Sequence, residues 1–191
     1  AWLKGNWAAA HEAVLRQSDL APGSIASCQV AEEARRLNRL HEARDVLAEL
    51  EPGRGELRGW IHYWVELTSV LHLLGEHEAE LEAAIEARDR HGDDPRARWL
   101  QITALAALGR LGDVEAEIEA ALALPLGRDP GPGRALHEVA RELAAHGHDA
   151  AAARTLQRSL DWFRERVDEH APPPPAVRRD FGRALYDAEE W

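Results

Sequence analysis

Three kinds of side chain in this sequence could take part in chemistry: a single cysteine, ten histidines and several paired carboxylates. Cys28 lies mid-helix among small residues, where a thiol usually belongs to a packed interior and is not a nucleophile. We therefore expect Cys28 to be a small core or groove residue. A single cysteine also excludes a disulfide framework within the chain.

The histidines are the residues most able to bind a metal ion, but their spacing does not match a known ligand pattern. His146 and His148 flank a turn, and His72 and His77 lie five positions apart across another turn. Neither is the i, i+4 pair that zinc enzymes use, and no acidic ligand falls at a matching spacing. We predict polar turn histidines, with no metal and no cofactor.

Motifs for catalysis are missing from the sequence as well. It has no glycine-rich phosphate loop, no G-x-S-x-G elbow and no H-E-x-x-H pair. The acidic runs Glu76 to Glu80 and Glu115 to Glu119 read as the solvated outer faces of helices. The sequence therefore predicts a protein that is not an enzyme.

The composition is that of an acidic protein without a surface for nucleic acid or membrane. A net charge of −11 disfavours contact with phosphate backbones and with anionic lipid. No apolar run approaches the ~20 residues that span a bilayer, and no signal peptide is present. We expect a cytoplasmic protein. Because the sequence contains no methionine, we also expect that its start was removed or that it belongs to a longer chain.

Gly, Pro and Asn divide the chain at regular intervals, and the apolar residues between them follow the i, i+3, i+4, i+7 spacing of helices. The pattern Leu-x-x-x-Gly ends at Gly75, Gly109 and Gly147, which are 34 and 38 residues apart. A chain that repeats one helix-turn-helix unit is a solenoid, and solenoids mostly bind other molecules. The predicted helices are 7–20, 24–37, 40–50, 60–74, 76–91, 96–108, 113–124, 134–146, 149–167 and 177–188, with the end of another helix at 1–4, loops at 53–59 and 127–133 and a stiff connector at 172–175.

Large and small apolar residues recur at matching positions of the repeated helix pairs. First helices share Trp64, Leu67 and Leu71 and Phe181, Gly182 and Leu185; second helices share Ala10, Val14 and Pro22, then Ala43, Leu47 and Pro52, and Ala152 and Leu156. With these residues the unit resembles that of the tetratricopeptide repeat (TPR) family over essentially the whole chain. Glu80 and Val114 depart from the family, which prefers Ala at those positions. The chain also looks like the TPR regions of bacterial multidomain signalling and regulatory proteins.

This resemblance implies an all-α fold, a right-handed α-α superhelix of about five antiparallel hairpins in one domain, 1–191. It implies a protein–protein interaction scaffold that binds a peptide or protein in its concave groove. Trp2 and Trp191 fall inside incomplete repeats, so we expect a fragment of a longer array, or ends covered by another domain or by a second copy. The approximate units are 1–22, 24–52, 60–95, 96–125, 134–170 and 177–191.

The first helices of such units line the groove, and their polar residues are candidates for partner binding. Arg and His there would suit an acidic segment or a C-terminal carboxylate, whereas the alternative is a solvated face. Further candidates are aromatic residues that the repeat pattern does not place, for which core packing is the alternative. The candidates are His62, Val65, Ser69 and His72, then Arg134, His137 and Arg141, with Glu32 and Arg35 from the second unit, and the aromatic residues Trp60, Tyr63 and Trp99.

Two other functions remain open at this point. The array could be a structural spacer or oligomerisation module whose open ends stack on another copy. It could also be a ligand-sensing array that controls a linked kinase or DNA-binding domain, with Trp60, Tyr63 and Trp99 as its pocket.

Overall fold

A computed structural model describes residues 7–92, 94–123, 131–169 and 174–189. Within these ranges the chain forms α-helices, one 3-10 turn at Gly55–Leu57 and no β-strand. The helices are α1 (Trp7–Leu20), α2 (Ile25–Arg36), α3 (Leu40–Ala48), α4 (His62–Leu74), α5 (His77–Arg90), α6 (Pro95–Ala107), α7 (Leu111–Leu122), α8 (Pro132–Ala145), α9 (Asp149–Glu169) and α10 (Pro175–Asp187).

The helices belong to two compact units, Ala1–Gly92 and Asp93–Trp191. In the first unit, α2 packs against α1, α3 and α4, and α4 packs also against α3 and α5. In the second unit, α8 packs against α6, α9 and α10, while α7 packs against α6 and α9 against α10. In each unit a helix therefore contacts its hairpin partner, and the even-numbered helices contact one another, as in stacked hairpins.

The turn that follows α2, α4, α6 and α8 has the same geometry each time. After α4, the N–H of Gly75 donates to the carbonyl of His72 at 2.9 Å, and the N–H of Glu76 donates to the carbonyl of Leu71 at 3.0 Å. This pair of bonds satisfies the last carbonyls of the helix, and it needs a residue with positive φ, which favours Gly or Asn. The residues in this position are Asn38, Gly75, Gly109 and Gly147.

Capping residues and prolines set where several helices begin. The side chain of Ser24 accepts from the N–H of Ala26 at 3.2 Å before α2, and Asp94 accepts from the N–H of Arg96 at 2.9 Å before α6. The helix at 24–37 was predicted with Ser24 as its cap, and that prediction is confirmed.

Two predicted non-helical segments end earlier than expected. The loop predicted at 127–133 already becomes helix at Pro132, and the connector predicted at 172–175 becomes helix at Pro175. Proline suits the first helical position because it has no N–H to satisfy and its φ is preset for the helix. The predicted helices otherwise agree with the structure to within two residues. The segment at 1–4, the turn at 5–6 and most of both irregular segments lie outside the described residues.

The interior of the first unit contains Cys28, which is 3% exposed. Burial, with a smaller contribution from Glu66, raises the pKa of its thiol to about 12. This confirms the interpretation of Cys28 as a small core residue, because only the thiolate is a good nucleophile.

Cys28 is therefore expected to react at least ~100-fold more slowly with iodoacetamide at pH 8 in the folded chain than in the urea-unfolded chain. Mass spectrometry over a time course measures both rates. Because the chain has a single cysteine, each rate reports one thiol. Similar rates in both states would contradict the buried position.

Candidate functional site

A groove of about 690 Å³ lies in the first unit, on α4 and between α5 and the loop that follows α3. Ligand pockets in proteins typically enclose ~300–1,000 Å³, so this groove has the size of a binding site. We call it the α4–α5 groove. It is lined by Leu50, Glu51, Pro52, Gly53, Arg54, Tyr63, Trp64, Leu67, Leu71, Ala79, Glu82, Ala83, Glu86 and Arg90.

The floor of the α4–α5 groove is aromatic and held firmly in place. The rings of Tyr63 and Trp64 meet edge to face with centroids 4.9 Å apart, and both residues are at most 5% exposed. The hydroxyl of Tyr63 donates to the carbonyl of Leu47 at 3.3 Å. Burial, chiefly, raises the pKa of Tyr63 to about 12, so the phenol stays neutral at physiological pH. The floor therefore offers apolar contact without charge.

The rim of the groove carries charges of both signs that are largely paired with each other. The guanidinium of Arg90 lies 5.9 Å from the centroid of the Trp64 ring and pairs with Glu86 at 2.8 Å. Arg54 pairs with Glu51 at 2.7 Å. Both pairs are exposed, so their charges remain accessible to a partner.

The partner-binding residues predicted on α4 lie on the side opposite the groove. His62 is exposed, whereas Val65, Ser69 and His72 are half-buried, and the hydroxyl of Ser69 donates to the carbonyl of Val65 at 2.6 Å. None of the four lines the α4–α5 groove. Successive residues of a helix are rotated by about 100°, which puts these four across the helix from Tyr63 and its neighbours.

The predicted aromatic residues occupy different environments. Tyr63 lines the groove, as described above. Trp60 in the same unit is half-buried, and its ring lies 5.4 Å from that of His62. Trp99 belongs to α6 in the second unit and is 8% exposed. Trp64, which was predicted as the large core residue of its repeat, is 2% exposed and confirms that prediction.

The Arg and His residues predicted in the second unit all have carboxylate partners on α8 or α10. Arg134 pairs with Glu138 at 2.9 Å along α8. His137, which is 6% exposed, contacts Asp187 at 2.7 Å, and Arg141 lies 3.6 Å from the same carboxylate. Asp187 thus brings together His137 and Arg141 from α8.

A second cavity, of about 430 Å³, adjoins these residues between α8, α9 and α10. Its polar end consists of His137, Arg141 and Asp187, and the remainder of its lining is alanine and Leu156. A carboxylate arriving at His137 and Arg141 would have to displace Asp187. Because Asp187 already contacts both residues, this cavity fits the predicted acidic partner less well than it would without Asp187.

Glu80 is where the sequence analysis was wrong. It was expected on a solvated face, but its side chain is 2% exposed and accepts hydrogen bonds from two imidazoles. The sequence spacing also gave no acidic ligand for His72 and His77, whereas Glu80 lies within hydrogen-bond distance of both. Glu80 follows the left-handed Gly75 by five positions, and this position faces the core of the hairpin. Residues two apart on a helix point in different directions, so Glu80 is buried although Glu78 on the same helix is exposed.

The groove itself was also missed, apart from Tyr63. Residues such as Glu86 and Arg90 lie on α5, a second helix, and the sequence analysis placed binding on first helices only. A signal was present in the sequence: Ala79 and Ala83 are small residues next to the aromatic pair, and small side chains leave space beside large ones.

No helix in the described ranges combines the length and the apolar character needed to cross a membrane.

Comparison with known proteins gives a likeness at the level of structure alone. Neither a protein-family model nor a curated protein matches the sequence. The solved structure of YrrB, a TPR protein with an unusual peptide-binding site, is 18% identical with a TM-score of 0.56, covering 96% of this chain and 84% of that one. TTC0263, a thermophilic TPR protein in Thermus thermophilus, is 18% identical with a TM-score of 0.63, covering 97% and 93%. This likeness confirms the predicted fold class, all-α hairpins of the TPR type.

Proposed function

We propose that this protein is an interaction scaffold that binds an extended segment of a partner protein in the α4–α5 groove. The observation that supports this best is the groove's closed aromatic floor, Tyr63 and Trp64, beneath a rim of paired charges. The description of YrrB as having a peptide-binding site supports a peptide as the partner of a protein with this fold. We further propose that the scaffold works in a bacterial cytoplasm as the interaction part of a larger regulatory protein.

The occupant of the groove is a peptide with one or two apolar side chains. The half-buried Leu67 and Ala79 line the groove and offer that apolar contact over a rigid aromatic base. An acidic segment or a C-terminal carboxylate stays a prediction for the partner. It would compete with Glu66 for Arg35 and with Asp187 for His137 and Arg141.

Filling the groove tests the proposal. Peptides selected from a displayed library against the folded chain are titrated against Ala79→Trp, which puts a large ring into the groove. The proposal predicts at least a ~30-fold loss of affinity, because the ring occupies the space of the anchor. The matched control is Ile85→Trp on the same helix, since Ile85 is exposed and does not line the groove; its affinity stays within ~2-fold of wild type.

A third variant locates the site if it is elsewhere. Val65→Trp changes the opposite side of α4, the surface predicted from the sequence. If Val65→Trp loses affinity and Ala79→Trp does not, the peptide binds on the opposite face of α4 and not in the groove. That face consists of His62, Val65, Ser69 and His72.

The remaining alternatives predict different results. A spacer or oligomerisation module would associate with itself, and a monomer at high concentration in sedimentation equilibrium argues against it. A ligand-sensing array would bind a small molecule and would select no peptides.

A further inference from the structure

The turn between α4 and α5 brings two imidazoles and one carboxylate to a single point. Nδ1 of His72, in the last turn of α4, lies 3.1 Å from Oε2 of Glu80. Nδ1 of His77, the first residue of α5, lies 3.0 Å from the same oxygen. One possible ligand atom from each of the three side chains lies within 4.8 Å of the other two, and the ring centroids are 5.2 Å apart.

The carboxylate of this cluster is buried, and a buried charge is costly. The side chain of Glu80 is 2% exposed, and those of His72 and His77 are 29% and 20% exposed. A carboxylate out of water destabilises the fold unless its charge is compensated. A cation held by the two imidazoles and Oε2 of Glu80 would supply that compensation.

Packing by itself does not require a glutamate at this position. The left-handed residue of each turn gives the hairpins a common register, in which Glu80 follows Gly75 by five positions. The same position in the other hairpins holds Ala43, Val114 and Ala152, all buried. Alanine or valine thus fills the slot in those hairpins.

The two histidines also stand in positions that carry other residues elsewhere. Among the four hairpins described at this turn, only α4–α5 combines three side chains that can ligate a metal. The position of His72 is held by Arg35, Ala106 and Ala144, and that of His77 by Leu40, Leu111 and Asp149.

We propose that His72, His77 and Glu80 bind a divalent transition-metal ion, for which Zn²⁺ is the best match. Zn²⁺ binds imidazole nitrogen and carboxylate oxygen at about 2.0–2.2 Å, and a tetrahedral site then separates its ligand atoms by about 3.3–3.5 Å. The observed separations of the two nitrogens from Oε2, 3.1 and 3.0 Å, reach that range with shifts of a few tenths of an ångström. Mg²⁺ and Ca²⁺ are disfavoured because they prefer oxygen ligands throughout.

Binding would change the role of the two rings. The hydrogen bonds to Glu80 give way to coordination by the Nδ1 lone pairs, so both imidazoles carry their hydrogen on Nε2. Three protein ligands leave a fourth position for water or for a side chain of a partner. The ion would connect α4 to α5 across the turn. Because it would bind the folded chain and not the unfolded chain, it would stabilise the fold.

Isothermal titration of the chain with Zn²⁺, without a polyhistidine tag, tests the site. The expected result is one ion per chain, with affinity lowered at least ~30-fold by Glu80→Ala and by His77→Ala. The control is His146→Ala, because His146 contacts Glu142 at 2.8 Å at another turn and lies outside the cluster. Its affinity equals that of wild type.

Thermal unfolding supplies a second readout. Zn²⁺ raises the melting temperature of wild type and of His146→Ala, and leaves that of Glu80→Ala unchanged. Glu80→Ala introduces the residue that Ala43 provides in the same slot, so we expect it to fold, as circular dichroism checks. If Glu80→Ala does not fold, His72→Gln takes its place, because it removes one imidazole while keeping a polar side chain of similar size. The proposal then predicts that His72→Gln loses affinity for Zn²⁺. Equal Zn²⁺ affinity in wild type and the folded variants, or no binding by wild type, would overturn the site.

Discussion

Replacing Gly133 by alanine is expected to lower the free energy of unfolding by about 2 kcal/mol, because α8 and α9 are in contact at this residue. A Cβ atom at Gly133 would lie 2.3 Å from Cε3 of Trp162 and 3.0 Å from Cζ of Phe163. Phe163 is confined, since it packs at 81° against Trp162 on one side and stacks on Phe181 at 5.5 Å on the other.

The backbone is held in place as well. The buried hydroxyl of Ser159 donates to the carbonyl of Gly133 at 2.6 Å, which resists any shift of α8 away from α9. Urea unfolding followed by circular dichroism measures the effect. Gly182→Ala in α10 is the matched control, because nothing lies within 4 Å of a Cβ atom there. It should be neutral or stabilising, since alanine favours helix over glycine by up to ~1 kcal/mol. Equal effects from both variants would contradict the close contact.

Replacing Arg35 by alanine is expected to cost about 2–4 kcal/mol, because it leaves the carboxylate of Glu66 uncompensated between α2 and α4. The guanidinium donates from Nε to Oε1 at 2.5 Å and from Nη2 to Oε2 at 3.2 Å. The side chains are 28% and 11% exposed. The hydrogen bond to Glu66 raises the pKa of Arg35, so the guanidinium stays charged at any physiological pH.

A double variant separates the buried charge from lost packing. Arg35→Ala combined with Glu66→Leu should recover much of the loss, because it removes the uncompensated carboxylate while the arginine stem stays absent. Arg16→Ala is the control, since its pairing with Glu12 at 3.8 Å joins side chains that are 81% and 71% exposed, and such pairs contribute little. Urea midpoints measure all three. A double variant as unstable as Arg35→Ala would show that the packing of the arginine stem matters more than the charge.

The helices could be predicted because their signals are local. The apolar period of 3.6, the left-handed residues such as Gly75 and the cap at Ser24 depend on neighbours in sequence, so the helix boundaries agree with the structure to within two residues. Pro132 and Pro175 were assigned to irregular segments, although the same residue type can begin a helix.

The site could not be predicted in the same way because it depends on pairing over long distances. Nothing in the spacing of Arg35 indicates that it pairs with Glu66, 31 positions later, or that His137 contacts Asp187, 50 positions away. The α4–α5 groove likewise combines the loop after α3 with two later helices. The helical spacing of a single segment does not reveal such partners. A binding face predicted from that spacing alone therefore includes basic residues that are paired within the chain.

The most direct test of the account is where a selected peptide binds. In ¹H–¹⁵N spectra of the chain, the indole N–H of Trp64 and the backbone amides of α5 from Ala79 to Arg90 should shift as the peptide is added, because they surround the α4–α5 groove. The indole of Trp162 in the second unit should stay unchanged. Shifts confined to His62, Val65 and Ser69, or to α8 and α10, would contradict binding in the groove.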